Sequence, residues 1–67
     1  MTLCDMIEQG IAIQGRFVSV IDCDDNTVYY GEGEALAHSL DELWMMQEVA
    51  YIYPSIYEPN SLFIELR

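Results

Sequence analysis

Residues 11–30 read IAIQGRFVSVIDCDDNTVYY, and this stretch decides the fold. Ile11 to Cys23 is rich in Ile, Val and Phe, whose branched or flat side chains pack well on a pleated surface, and Thr27 to Tyr30 repeats that character. Between them Asp24, Asp25 and Asn26 form a run of turn residues, so the stretch predicts a β-hairpin. The alternation slips around Gln14 and Gly15: Ile11 and Ile13 share one parity, Val18 and Val20 the other. Gly15 is the expected bulge that resets the face.

Upstream, Thr2 and Asp5 form an imperfect capping box for a helix of about two turns, with Gly10 placed to end it. Leu3, Met6 and Ile7 fall on one apolar face, while Asp5, Glu8 and Gln9 look outward. Downstream, Gly31-Glu32-Gly33-Glu34 is expected to break the second strand. Glu34 to His38 reads as an irregular turn, and Ser39 with Glu42 makes a capping box for a short helix carrying Leu40, Leu43 and Trp44.

Glu48 to Tyr53 and Ser61 to Leu66 read as two more strands, separated by a loop whose Pro54 and Pro59 exclude regular pairing. In the last strand Leu62, Ile64 and Leu66 share the face expected to meet the core, matched by Ala50 and Ile52. Val49, Tyr51, Tyr53 and Phe63 are left on the other face, a candidate apolar interface. Residues 1–67 thus read as one small α+β domain: a short N-terminal helix, two β-hairpins forming a four-stranded, mainly antiparallel sheet, and a short helix between the hairpins. Strand order is not legible at this level.

Composition bounds what such a domain does. Twelve Asp and Glu against Arg16 and Arg67 give a formal charge of -10, which argues against a cationic grip on nucleic acid or anionic lipid. Hydrophobic residues make up 52%, too many for a disordered acidic tail. Cys4 and Cys23 are too few for a disulfide framework and suit a reduced cytoplasm. The N-terminal residues lack the basic and apolar regions of an export signal, and no apolar run approaches the roughly 18 residues that span a bilayer, so a cytoplasmic protein is expected.

No catalytic, metal or cofactor motif survives inspection. Asp22-Cys23-Asp24-Asp25-Asn26 opens like a calcium loop, but Thr27 stands where that loop needs Gly and Gly33 where it needs a bidentate Glu, so an acidic hairpin turn is favoured. His38 is the lone imidazole, far in sequence from Cys4 and Cys23, which leaves zinc and nucleophilic chemistry without a constellation. Glu32 and Glu34 would repel the phosphate that a loop around Gly31 and Gly33 would have to cradle. The reading is therefore non-enzymatic.

What remains is collective charge. A chain of this mass exposes roughly 4,300 Å², or about 360 Å² per carboxylate, whereas duplex DNA carries one charge per about 1.7 Å of axis. Imitating DNA thus requires clustering, which Asp22, Asp24, Asp25, Glu32 and Glu34 at one hairpin, with Asp41 and Glu42 on the next helix, are expected to supply.

Tyr29-Tyr30-Gly31-Glu32-Gly33-Glu34, the short Ser39-Leu40-Asp41-Glu42-Leu43 helix, Val49-Ala50-Tyr51-Ile52-Tyr53-Pro54 and Phe63-Ile64-Glu65-Leu66 together resemble small acidic accessory proteins of phages and conjugative elements of Gram-positive bacteria. The likeness spans residues 11–67 and carries over no catalytic or binding residue. It implies a context in which such proteins include inhibitors of host defence nucleases, among them anti-CRISPR and antirestriction DNA mimics, although recognised mimics display a longer acidic track. The expectation is a protein-binding module whose acidic cluster occupies a basic, nucleic-acid-binding groove of a protein partner. The alternative is a structural or homodimerising module that uses the aromatic sheet face.

Overall fold

The computed structural model describes residues 1–9, 16–58 and 60–67. Along the chain lie α1 (Leu3–Glu8), β1 (Phe17–Ile21), β2 (Thr27–Glu32), a 3-10 turn (Gly33–Ala35), α2 (Leu36–Ser39), α3 (Glu42–Met45), β3 (Val49–Pro54) and β4 (Ser61–Leu66). This is the expected α+β class. The sheet is ordered β2-β1-β4-β3, with both hairpins antiparallel and β1 running parallel to β4 where the hairpins meet. β2 and β3 are the edges, so the segment between them must cross the sheet, and its helices cover one face.

That face holds the core. Leu3 and Met6 of α1, Val18 and Val20 of β1, Leu36 of α2, and Ile64 and Leu66 of β4 form one buried cluster, with Ile7, Leu40, Trp44, Met45 and Ile52 packed against it. α1 is fixed by its cap. The Asp5 amide donates to Thr2 Oγ1 at 3.1 Å and the Thr2 amide donates to Asp5 Oδ2 at 3.1 Å, so the capping box is complete. The helix start is also tied to the sheet layer: the Leu3 amide donates to the Gln47 carbonyl (3.0 Å) and the Val49 amide to the Met1 carbonyl (2.8 Å). Gly10, and residues 11–15 with the Gly15 bulge, lie outside the described residues.

Several local expectations change. β1 is shorter than the apolar run, because Asp22 leaves the strand to bond its own turn and Cys23 lies in that turn, exposed. β2 continues through Gly31 to Glu32. The Tyr29 ring folds over Gly31, where any Cβ would sit 2.9 Å from the Tyr29 hydroxyl, and that hydroxyl donates to the Glu32 carbonyl at 2.7 Å. The glycine therefore makes room for an aromatic side chain and does not break the strand. A register shift between Val20 and Ile21, opposite Val28, is the irregularity of the first hairpin.

The helical segment also divides differently. Ser39 ends α2 with its Oγ donating to the Ala35 carbonyl at 2.8 Å, and Asp41, accepting from the Trp44 amide at 3.3 Å, caps α3 in its place. Leu43 points to solvent. In the second hairpin the register shifts between Val49 and Tyr51, leaving Ala50 as an extra residue. Val49 is thereby turned onto the core face opposite Leu66, correcting its assignment to the outer face.

Candidate functional site

The outer face of the sheet carries the candidate site. Reading across β2, β1, β4 and β3, register aligns Tyr30, Ser19, Phe63 and Tyr53 in one row. On one side lies a row of Glu32, Phe17 and Ser61; on the other lie Thr27, Ile21, Glu65 and Tyr51. Phe17 and Tyr30 stack with ring centroids 6.4 Å apart, and Tyr53 and Phe63 at 5.4 Å. Stacked pairs of this kind contribute about 0.5–1.5 kcal/mol beyond their buried area and hold each ring in place. Phe17 is 46% exposed, Tyr30 59%, Tyr51 67% and Tyr53 40%.

Carboxylates border these rings. Glu58, in the β3–β4 loop, accepts through one oxygen from the Tyr30 hydroxyl at 3.4 Å and from the Ser61 hydroxyl at 3.2 Å. The loop is shaped by Ser55, whose Oγ accepts from the Tyr57 and Glu58 amides, both at 3.2 Å. Glu65 sits half-buried beside Tyr51 in the next row.

The expected acidic cluster is divided. Asp22, Asp24 and Asp25 gather at the tip of the first hairpin, where Asp22 Oδ1 accepts from the Asp24 and Asn26 amides, both at 2.9 Å. The Asn26 amide bond, with help from the Asp24 amide and the Asn26 side chain, outweighs partial desolvation and holds the Asp22 carboxyl below its ordinary range. Asp25 adopts a left-handed φ of 64°, which closes the turn. These bonds make the segment an acidic hairpin turn whose Asp22 is occupied with backbone amides. Glu32 and Glu34 lie at the far end of β2, roughly 17 Å away at 3.3 Å per residue. Asp41 and Glu42 begin α3 in the helical layer, on the other side of the sheet from the aromatic rows. The seven carboxylates thus occupy three places: the hairpin tip, the far end of β2, and the helices.

At that far end, Arg16, Phe17, Glu32, Gly33 and Glu34 line an open hollow of about 160 Å³. This is smaller than the roughly 300 Å³ at which ligand clefts begin. Cys4 donates to Glu8 Oε1 at 3.7 Å, and partial desolvation together with the neighbouring Glu8 charge pushes its thiol above the ordinary value, away from the nucleophilic thiolate. His38 is exposed in the last turn of α2. Among the described residues no three His, Cys, Asp or Glu side chains converge as metal ligands, and no helix is long and apolar enough to cross a membrane.

Of the interface residues expected from the sequence, Tyr51, Tyr53 and Phe63 come together and Val49 does not. Phe17 is the member that sequence reasoning missed. Its signal was present in the alternation of Phe17, Ser19 and Ile21 with Val18 and Val20. No protein-family model, curated protein or solved structure matches the chain.

Proposed function

We propose that this chain is a non-enzymatic binding module that docks on a basic protein surface through the open aromatic face of its sheet. The observation that carries the reading is the one-sided arrangement of the fold: the helices cover the aliphatic face, and two stacked aromatic pairs stand on the other, with Phe17, Tyr30 and Tyr53 exposed and Phe63 half-buried. Aromatic side chains supply large contact area at low entropic cost, which is why they anchor interfaces. A formal charge of -10 selects among occupants. A second copy would bring the same charge against Glu32, Glu58 and Glu65, whereas a basic partner gains attraction and a faster approach. A groove that ordinarily holds phosphates has this chemistry, in keeping with the inhibitor role that the resemblance implies. The divided carboxylates favour guidance from two ends of the sheet over imitation of a continuous phosphate track.

The test compares two variants for the capture of proteins from nuclease-treated host extract. Tyr30→Ser with Tyr53→Ser should lose a partner that the wild type retains, while Asp24→Asn with Asp25→Asn should keep it with weaker salt dependence. Loss on neutralisation alone would move the interface to the hairpin tip. A wild-type dimer in sedimentation that Tyr53→Ser dissolves would replace the basic partner by a second copy.

A further inference from the structure

The aromatic row has a low point, and its chemistry narrows the partner. Ser19 lies between Tyr30 on one neighbouring strand and Phe63 on the other, and is the smallest member of the row. The strands of Tyr30 and Phe63 are two apart, about 10 Å at ordinary sheet spacing, so a planar group can sit over Ser19 with a ring on each side. Each ring is steadied by its own stack, Tyr30 on Phe17 and Phe63 on Tyr53. Carboxylates stand nearby. Glu65 is on the same strand as Phe63, one step along the same face, and Glu58 is held at Tyr30 by the hydroxyl bond.

We infer that the seat over Ser19 takes an arginine side chain of the basic partner, its guanidinium lying between the aromatic pairs and pairing with Glu65 or Glu58. The inference rests on the proposed docking face and adds the chemistry of the residue it recognises. Arginine suits the seat where lysine does not. A guanidinium is planar, stacks on aromatic faces and is weakly hydrated, so it surrenders less on leaving water than the compact ammonium of lysine. It also offers paired N–H donors to a carboxylate while stacked. Net charge favours both cations equally, so a preference between two cations of equal charge reports on stacking and on the carboxylate fork, and substitution of the rings isolates the stacking.

The experiment titrates the full chain with two capped peptides of equal charge, one alternating arginine with serine and one alternating lysine with serine, followed by backbone amide shifts and calorimetry. The arginine peptide should bind roughly tenfold more tightly, as expected for a partly desolvated cation–π contact, and should shift the amides of Ser19, Phe63 and Tyr30. Ser19→Leu, which fills the seat on an outer face, should bring the two peptides to equal affinity. Tyr30→Leu with Phe63→Leu, which keeps apolar area but removes the two rings beside Ser19, should do the same and serves if Ser19→Leu fails to fold. Equal affinity in the wild type, or an arginine preference that survives the ring substitutions, would overturn the arginine seat. The wider docking reading would still stand or fall on protein capture by Tyr30→Ser with Tyr53→Ser.

Discussion

The two faces of this sheet are made from alternate residues of the same strands, yet they solve opposite problems. Val18, Val20, Ile64 and Leu66 are aliphatic and buried, whereas Phe17, Tyr30, Tyr51 and Tyr53 are aromatic and exposed. Branched and γ-branched aliphatic side chains fill a core at crystal-like density, and α1, α2 and α3 seal it. The outer rings stack in pairs, and the Tyr30 hydroxyl donates to Glu58, so they support one another where no described helix packs on them. The difference separates what stabilises the domain from what is available to a partner.

The sharpest way to break this comparison uses adjacent residues. Ile64 is fully buried and its neighbour Phe63 is half-buried on the opposite face. Ile64→Ala should cost about 2–5 kcal/mol, the usual price of a cavity in a sealed core. That is a large share of the roughly 3–10 kcal/mol expected for a domain of this length. Phe63→Ala should cost about 1–2 kcal/mol, from the lost stack on Tyr53 and the half-buried ring area. Urea unfolding of both variants checks the pair, and equal losses would mean that the outer face is as structural as the inner one.

A smaller effect sharpens how the inner face is kept closed. Thr2 closes the capping box of α1, the helix that supplies Leu3 and Met6 to the core. Thr2→Ala should lower stability by about 1 kcal/mol. The loss should appear first as faster amide exchange in Asp5 and Met6, whose donors are bonded to Thr2. Unchanged exchange there would show that the ties to Gln47 and Val49 hold the helix without its cap.

What was legible in the sequence is what local chemistry decides. Thr2 and Asp5 announce their cap because the two bonds span only three residues, and Leu62, Ile64 and Leu66 announce a face because strand period is local. Val49 was misplaced because the extra residue at Ala50 arises from pairing with β4, and a one-residue slip moves every side chain to the other face. The α3 cap was missed for a related reason: Ser39 and Asp41 are both good caps, and the choice depends on α2 engaging Ser39 first. The adjacency of β1 and β4 joins residues more than forty apart, so no local signal reports it. The acidic group looked like one cluster because sequence proximity around the hairpin conceals the length of β2, which carries Glu32 away from Asp24 and Asp25.

The smallest expected effect concerns acid, and it compares a carboxylate on each side of the comparison. Asp5 serves the helix that covers the core face, and Asp22 shapes the hairpin tip. Each is held below its ordinary range, Asp5 chiefly by the Thr2 amide and Asp22 chiefly by the Asn26 amide. Because the folded-state value lies below the unfolded value of about 3.9, the unfolded chain takes up the proton first as pH falls. Stability from these bonds is therefore fully present above about pH 5 and is lost as pH drops through the lowered folded-state values. Asp5→Asn and Asp22→Asn retain an oxygen acceptor for the same amides but remove the titration, so each should flatten the acid limb of a melting-temperature profile while leaving the neutral plateau nearly unchanged. Relief of repulsion among the remaining carboxylates raises stability over the same interval in wild type and variants alike, so the informative quantity is the difference between their profiles. A variant profile that runs parallel to the wild type from neutrality down to about pH 2 would mean that the native bonds at that carboxylate survive its protonation.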